Sequence, residues 1–411
     1  MVNIIFLLIT FLQPHNEPID KRYWGFYGHR IINRLAVFTL PEDLMRFYKN
    51  NILYLETHAI DPDKRRYAIK AEAVRHYFDL DHWTHRVPKD SISRDYSAAI
   101  LKFDQLMFVT PEDSFPIFTD HPHWQYLQND SIKFSLECID KLLPLQHSIS
   151  GKSFLSWFQN SILPQYDPVN WNVSLSECTL FNLEQVKGLY LFIPDSFSKH
   201  GILPYHIQRV YSQLVQAFKL HECTKVLKLS AELGHYLADA HVPLHTTSNY
   251  NGQLTQQQGI HSFWESRLPE LFAETDFDFV VGAAQYIENI VEFTWQIIFD
   301  SHQHVSTLLE SEKVISQTFP YDKQYCYEKR GTTLIKTPCI KYAEAYYKSL
   351  KGQVEERMRS SILNLGSYWM SAWMDAGQPK MPYLERAIDA TDSIEIDSQH
   401  ASLLRLLRPH E

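Results

Sequence analysis

The sequence predicts an all-α protein, a single mainly helical domain carrying one large insertion, and three observations lead to that reading. Apolar residues recur at three- and four-residue intervals through most readable segments, as they do on the buried face of a helix. Few windows alternate apolar and polar positions in the way a half-buried strand does. Pro243 and the run Gly377-Gln378-Pro379 stand where helical patterns stop, because proline can neither donate the next backbone hydrogen bond nor fit the helix interior.

Taken from the start, Ile4 to Leu12 is a run of nine residues, apolar except for Thr10. It is well short of the ~20 needed to cross a bilayer as a helix, but long enough for the apolar core of a signal peptide. No Lys or Arg precedes it and no small-residue cleavage site follows, so residues 1–23 are read as an atypical signal or propeptide segment and the protein as secreted or periplasmic. From Gly28 to about Tyr48 the apolar positions Ile31, Ile32, Leu35, Ala36, Phe38 and Leu40 follow a helical period. Thr39-Leu40-Pro41-Glu42-Asp43 marks a break and a new helix start, so His29 falls in the first turn of a helix. Thr57 to Trp83 is dense in charge and aromatics, and residues 84–204, which mix prolines, polar runs and short helical pieces, are read as the insertion.

After Gly201-Ile202-Leu203-Pro204 one long helical pattern runs through Val210, Leu214, Phe218, Val226, Leu229, Leu233 and Leu237 and ends near Pro243. A further helix should carry His261 to Leu271. Gly282 to Leu309 and Tyr342 to Ala376 again show helical spacing. The main domain is therefore placed at 24–379, with 380–411 as a tail.

With 411 residues, 45% hydrophobic and 14% aromatic, the chain can bury a large core. Thirty-nine Lys and Arg against 48 Asp and Glu give a net charge of −9, so no general electrostatic pull acts on a polyphosphate chain. The 20 histidines are the more informative feature, since neutral imidazole is the commonest metal ligand. Five cysteines without CxxC spacing exclude a zinc ribbon and a thioredoxin-type motif, and in an oxidising compartment Cys326 and Cys339 could close a short loop.

The chemistry concentrates in Leu233-Gly234-His235-Tyr236-Leu237-Ala238-Asp239-Ala240-His241-Val242-Pro243-Leu244-His245. His235 and Asp239, four apart, share one helix face and can converge on one metal ion. Pro243 ends the helix and lets His245 turn toward another. His261-Ser262-Phe263-Trp264-Glu265 repeats the same spacing. One such pair is ordinarily a surface ion pair; two pairs linked by His245 are harder to explain that way. No G-x-S-x-G, Walker A or H-E-x-x-H motif is present.

At these residues the chain resembles a superfamily: the bacterial zinc-dependent phospholipases C and the fungal and plant single-strand-specific nucleases that also act as 3′-nucleotidases. The similarity extends over ligand motifs from Trp24-Gly25-Phe26-Tyr27-Gly28-His29 and His76-Tyr77-Phe78-Asp79 to Glu265, with Ser367-Tyr368-Trp369-Met370-Ser371-Ala372-Trp373 similar to the family's last helix. It implies three zinc ions in a cleft of a helical domain. Asp61, His76, His235 and Asp239 would hold one, His245, His261 and Glu265 a second, and Trp24, His29 and Asp239 a third, with Asp239 bridging two.

In the family the tryptophan binds through its free α-amino group and backbone carbonyl, which implies a mature chain beginning at Trp24. Asp20-Lys21-Arg22-Tyr23 lacks the small residues a signal peptidase prefers, so the third ion depends on other processing. Asp61 is preferred to Asp63 because 15 positions separate it from His76, as in the nuclease branch, and Asp63 is read as a partner of Lys64-Arg65-Arg66, itself a solvated charged surface. Asp61 and Asp239 are then the catalytic carboxylates. Asp79 fits two roles equally, contact with substrate or support of a ligand histidine. His241, His58, His82 and His85 match no ligand position and are read as structural or surface residues.

The implied activity is hydrolysis of phosphate esters by a metal-activated hydroxide. The spacings at Trp24–His29 and Asp61–His76 and the tryptophan Trp264 favour single-stranded nucleic acid or nucleotides as substrate. Glu265, where nucleases usually carry aspartate, and the 16-residue gap from His245 to His261 favour the alternative, a phospholipid. A non-catalytic zinc-containing binding protein is the reading from another class. The separation of 159 positions between His76 and His235 exceeds that of either branch. Its aromatics Phe115, Phe118, Trp124, Tyr126, Trp157 and Phe158 could stack on bases or contact lipid, or fill the insertion's own core, which is the preferred reading.

Overall fold

The computed structural model describes residues 26–86, 88–111, 113–119, 131–141, 147–163, 172–174, 181, 190–330 and 333–381. The proposed signal segment, Trp24, Trp124, Tyr126 and nearly all of the 380–411 tail lie outside the described residues. The rest is mostly helical, with a few short strands.

Five helices build the frame that holds the clustered histidines. The first, Phe26–Ala36, packs against Ile52–His58, against Cys223–His241 and against the last described helix, Gln353–Asp375. Leu203–Lys219 lies along Cys223–His241 as its antiparallel neighbour. Leu233, Tyr236, Leu237, Leu365 and Trp369 are fully buried between them. The first helix gives way at Val37–Thr39 to a tighter 3₁₀ turn, and Pro41 then precedes the helix Glu42–Asn50, where the sequence pattern placed the break.

Three helical readings are corrected. The long pattern beginning at Leu203 is two helices, because His221 adopts a left-handed backbone (φ 55°) and the chain reverses between Lys219 and Cys223. Phe218 and Val226 are eight apart, so the apolar stripe keeps its phase across the turn and conceals it. Residues 277–289 form no helix; Asn289 caps the helix Ile290–Gln303 by accepting from Glu292 N, and only there does the regular element begin. The stretch from Tyr342 is likewise split, at Lys351 (φ 50°) and Gly352 (φ 86°), into Ile340–Ser349 and Gln353–Asp375.

The segment 84–204 holds strands that the sequence did not suggest. β1 (Met107–Val109), β2 (Ser114–Pro116), β5 (Asn172–Ser174) and β6 (Tyr190–Phe192) form an antiparallel sheet in the order β2-β1-β6-β5. Phe108 is paired with Phe115 on one side and Leu191 on the other, and all three are buried. β3 (Ser131–Lys133) and β4 (Ser148–Ser150) pair separately. Phe115, Phe118, Trp157 and Phe158 are all buried, and Phe118 stacks on Phe134, so these aromatics fill a core. A last hairpin, β7 (Tyr325–Arg330) and β8 (Thr333–Pro338), is tied to the following helix by a Cys326–Cys339 disulfide.

Among the described residues no helix is long and apolar enough to cross a membrane.

Candidate metal centre

Eight side chains from six segments form one cluster, with Asp239 near its middle. His29 comes from the first turn of the first helix, Asp63 from the short helix Asp61–Arg66, and His76 from the end of the 3₁₀ stretch Lys70–Arg75. His235 and Asp239 lie on the last two turns of Cys223–His241. Pro243 opens a 3₁₀ turn that redirects the chain and carries His245. His261 and Glu265 sit where the helix widens into a single π turn, Phe263–Arg267, a distortion that recurs at functional sites.

Both i, i+4 pairs meet in three dimensions. His235 Nε2 lies 3.3 Å from Asp239 Oδ2, and His261 Nε2 lies 2.7 Å from Glu265 Oε2. The two oxygens of Asp239 face different partners. Oδ2 is 2.9 Å from His76 Nδ1, whereas Oδ1 is 3.6 Å from His29 Nε2 and 3.9 Å from His245 Nδ1. Glu265 is divided in the same way, with Oε1 3.4 Å from His29 Nε2 and Oε2 3.3 Å from His245 Nε2. Four compact groups result: His76, His235 and Asp239; His245, His261 and Glu265; His29, Asp239 and Glu265; and His29, Asp63 and His235. Both Asp239 and Glu265 belong to two of them, whereas the sequence reading gave a bridging role to Asp239 alone.

The ring nitrogens that face away from the groups fix the tautomers. His235 Nδ1 donates to Ala59 O at 2.9 Å, and His245 Nδ1 donates to His76 O at 2.5 Å. Each Nε2 therefore presents its lone pair inward when the ring is neutral. His235 Nε2 meets His76 Nδ1 at 3.0 Å, and His245 Nε2 meets His261 Nε2 at 2.9 Å, each beside a carboxylate oxygen. Lone pairs and anionic oxygens converging at such distances in a buried site require a positive charge between them, either protons or a metal ion.

The charges of these groups act strongly on one another. Burial alone would raise the Asp239 carboxyl, yet the imidazoles of His235 and His245 and the bonds from His235 and His76 hold it well below the ordinary range. Burial opposes a charge on His235, but Asp239 and Asp63 push it up to about 9. His76, equally buried, is lowered, because burial outweighs its bond to Asp239. Glu265 is held well below its usual value, burial being overcome by His245, His261 and His29. The histidines and Asp239 are almost fully buried, whereas Asp63 and Glu265 keep 20% and 15% of their side chains exposed, so the groups meet solvent at these two carboxylates.

Asp61 is corrected. Its carboxylate accepts from His58 Nδ1 at 2.5 Å and from Lys64 Nζ at 3.0 Å, and it joins none of the four groups. Asp63, two residues further along the same helix, turns inward to 3.7 Å from His235 Nε2 and 3.9 Å from His76 Nδ1. Arg66 reaches it at 3.4 Å, so part of its expected pairing is present as well. Nor is Lys64-Arg65-Arg66 simply a solvated surface: Arg65 is largely buried and donates to Glu232 and Tyr236. Asp79 pairs with His200 Nδ1 at 3.2 Å, a histidine outside the groups. His241 is structural: Nδ1 donates to Leu237 O, Nε2 accepts from Asn364 Nδ2, and burial beside Arg357 brings it down to about 3. Trp24 lies outside the described residues.

Two supporting residues were missed. Glu72 is fully buried behind His76, with Oε1 3.8 Å from His76 Nε2, and accepts from Arg75, Arg65 and Tyr236. Burial is outweighed by His76, Arg65 and Arg75, which bring its carboxyl down to about 2. Its place four residues before His76 was a usable signal, being the same i, i+4 device. Asp81 accepts from Ser248 N, Ser248 Oγ and Thr247 Oγ1, anchoring the chain just after His245.

Compared with known proteins, the chain matches no family model, no curated protein and no solved structure. The site therefore rests on its own geometry: buried histidine, aspartate and glutamate groups that can hold a metal ion.

Proposed function

We propose that the protein is a zinc-dependent phosphoesterase, a nuclease- or 3′-nucleotidase-like phosphodiesterase acting on single-stranded nucleic acid. The observation that supports this most is the sharing of Asp239 and Glu265 between adjacent donor groups, an arrangement suited to neighbouring ions. A structural zinc normally sits in a closed shell of four ligands, often with cysteine, and among the described residues no cysteine joins these groups. Imidazole and carboxylate donors suit zinc in a catalytic role.

His76, His235 and Asp239, with Asp63 beside them, would hold one ion. His245, His261 and Glu265 would hold a second, and His29, with Asp239 and Glu265, would contribute to a third. Zinc bound there supplies Lewis acidity, acidifying water and neutralising phosphate oxygens. The chain's own residues orient that chemistry. Ala59 O and the backbone carbonyl of His76 hold the rings of His235 and His245, Glu72 backs His76, and Asp81 holds the chain beyond His245 in place. Asp63 and Glu265, at the solvent side, are the carboxylates positioned to meet an incoming substrate and its water.

Metal analysis and a hydrolysis panel test the proposal together. About three zinc ions per chain, with cleavage of single-stranded DNA or RNA that a chelator abolishes and zinc restores, is the expected result. Release of diacylglycerol from phosphatidylcholine in place of nucleic acid cleavage would replace the substrate but keep the chemistry. Zinc-loaded protein inert toward every phosphodiester and phosphomonoester in the panel would refute it.

A further inference from the structure

Arg75, which donates to Glu72 at 2.7 Å, also lines a cavity of about 560 Å³ that none of the eight clustered residues reaches. That volume is in the range of small-molecule sites. Its wall carries three guanidinium groups, from Arg75, Arg94 and Arg209, against one lining carboxylate, Asp95. Asp95 is already engaged, capping the helix Tyr96–Phe103 through Ala98 N at 2.8 Å and accepting from Ser97 Oγ.

The three arginines are not equally satisfied. Arg94 reaches Glu292 at 3.3 Å and lies over the Trp295 ring. Arg75 shares the single carboxylate of Glu72 with Arg65. Arg209 makes no ion pair among the described residues, and beside it the buried Nε2 of Gln208 has no hydrogen-bond partner among them. Arg75 and Arg209 line the same cavity, and desolvation, followed by repulsion from Arg75, lowers the Arg209 guanidinium. The remaining wall sets the apolar and aromatic side chains of Tyr205, Ile202, Leu163 and Val291 beside the polar Gln159 and His206.

We propose that this cavity binds an aromatic phosphate monoester, its phosphate held by Arg75, Arg209 and the Gln208 amide and its ring against Tyr205 and Ile202. Two guanidinium groups and an amide provide several donors to one multiply charged oxyanion, which a carboxylate would leave partly unused. The apolar wall selects for a body that a free anion lacks.

The probe is phenylphosphonate, whose carbon–phosphorus bond hydrolysis leaves intact, titrated into the metal-loaded protein by calorimetry. Arg209→Glu should remove one class of binding, at least a tenfold loss, while Arg209→Lys stays within a few-fold. Phosphonate taken up by the metal groups would remain in both variants, so the class that disappears is the cavity's. Equal thermal midpoints for wild type and variants show that the fold is kept. Every binding class surviving Arg209→Glu would overturn the proposal, and so would inorganic phosphate binding at this site as tightly as phenylphosphonate. The outcome is independent of whether the metal groups hydrolyse any substrate.

Discussion

Gly234 precedes His235 in the helix that carries two of the clustered side chains, and a β-carbon there would lie 1.8 Å from Asn33 Oδ1 and 2.9 Å from Leu365 Cδ2. The backbone at Gly234 is ordinary helix, so Gly234→Ala probes the closeness of this helix to the first one at Asn33 and, more mildly, to the last one at Leu365. Alanine's better helix propensity favours the variant by ~1 kcal/mol. Against that, Asn33 must move. It is fully buried and donates to Leu55 O and Ala231 O at 3.1 and 3.0 Å. Stranding buried hydrogen-bonding groups costs about 1–3 kcal/mol each. The balance is a net loss of roughly 1–5 kcal/mol, read by urea denaturation as a lower midpoint at unchanged slope. On an Asn33→Ala background the same substitution should cost at least ~1 kcal/mol less, because the clashing oxygen is gone. A Gly234→Ala protein as stable as wild type would refute the claimed contact, and equal costs on both backgrounds would refute its attribution to Asn33.

Three further outcomes are expected. Asp63→Asn should weaken metal retention by roughly ten- to a hundredfold in a competition with chelator, while Asp61→Asn changes it little; the reverse order would restore the spacing-based choice. Asp81 is held below its usual value, burial being overcome by Ser248 and Thr247, so its stabilisation is fully present above about pH 4 and lost as pH falls through the lower folded value. Asp81→Asn should therefore cost about 1.5–3 kcal/mol at pH 7, with the two denaturation curves converging in acid; a gap constant with pH would exclude the carboxylate as its source. Replacing Cys326 and Cys339 together by serine should lower stability by about 3 kcal/mol, the entropy of closing a loop of this size, with metal content unchanged. An unchanged denaturation midpoint would refute this, and loss of bound metal would show that the hairpin, which Arg267 grips through Glu328 and Pro338 O, also positions Glu265.

The helices around the site were legible because their periodicity is long and repeated, and because Pro41 and Pro243 mark real ends. The turn at His221 was not, since the apolar phase continues across it. The small sheets of the insertion were equally hidden: a three-residue strand such as Met107–Val109 buries only Phe108, and one buried residue has no period.

For the site, local spacing by itself determined the pairs His235 with Asp239 and His261 with Glu265, because residues four apart on a helix must share a face. It also determined that His245 would leave the helix axis, since proline cannot continue it. Only the tertiary structure decided which acid of Asp61-Pro62-Asp63 enters the groups. Both stand on one short turn, and the choice depends on His58 and Lys64 capturing one while His76 and His235 face the other. The double contacts of Glu265 were decided there as well, because they depend on His29 and His245, far from it in sequence, being brought together around one buried charge.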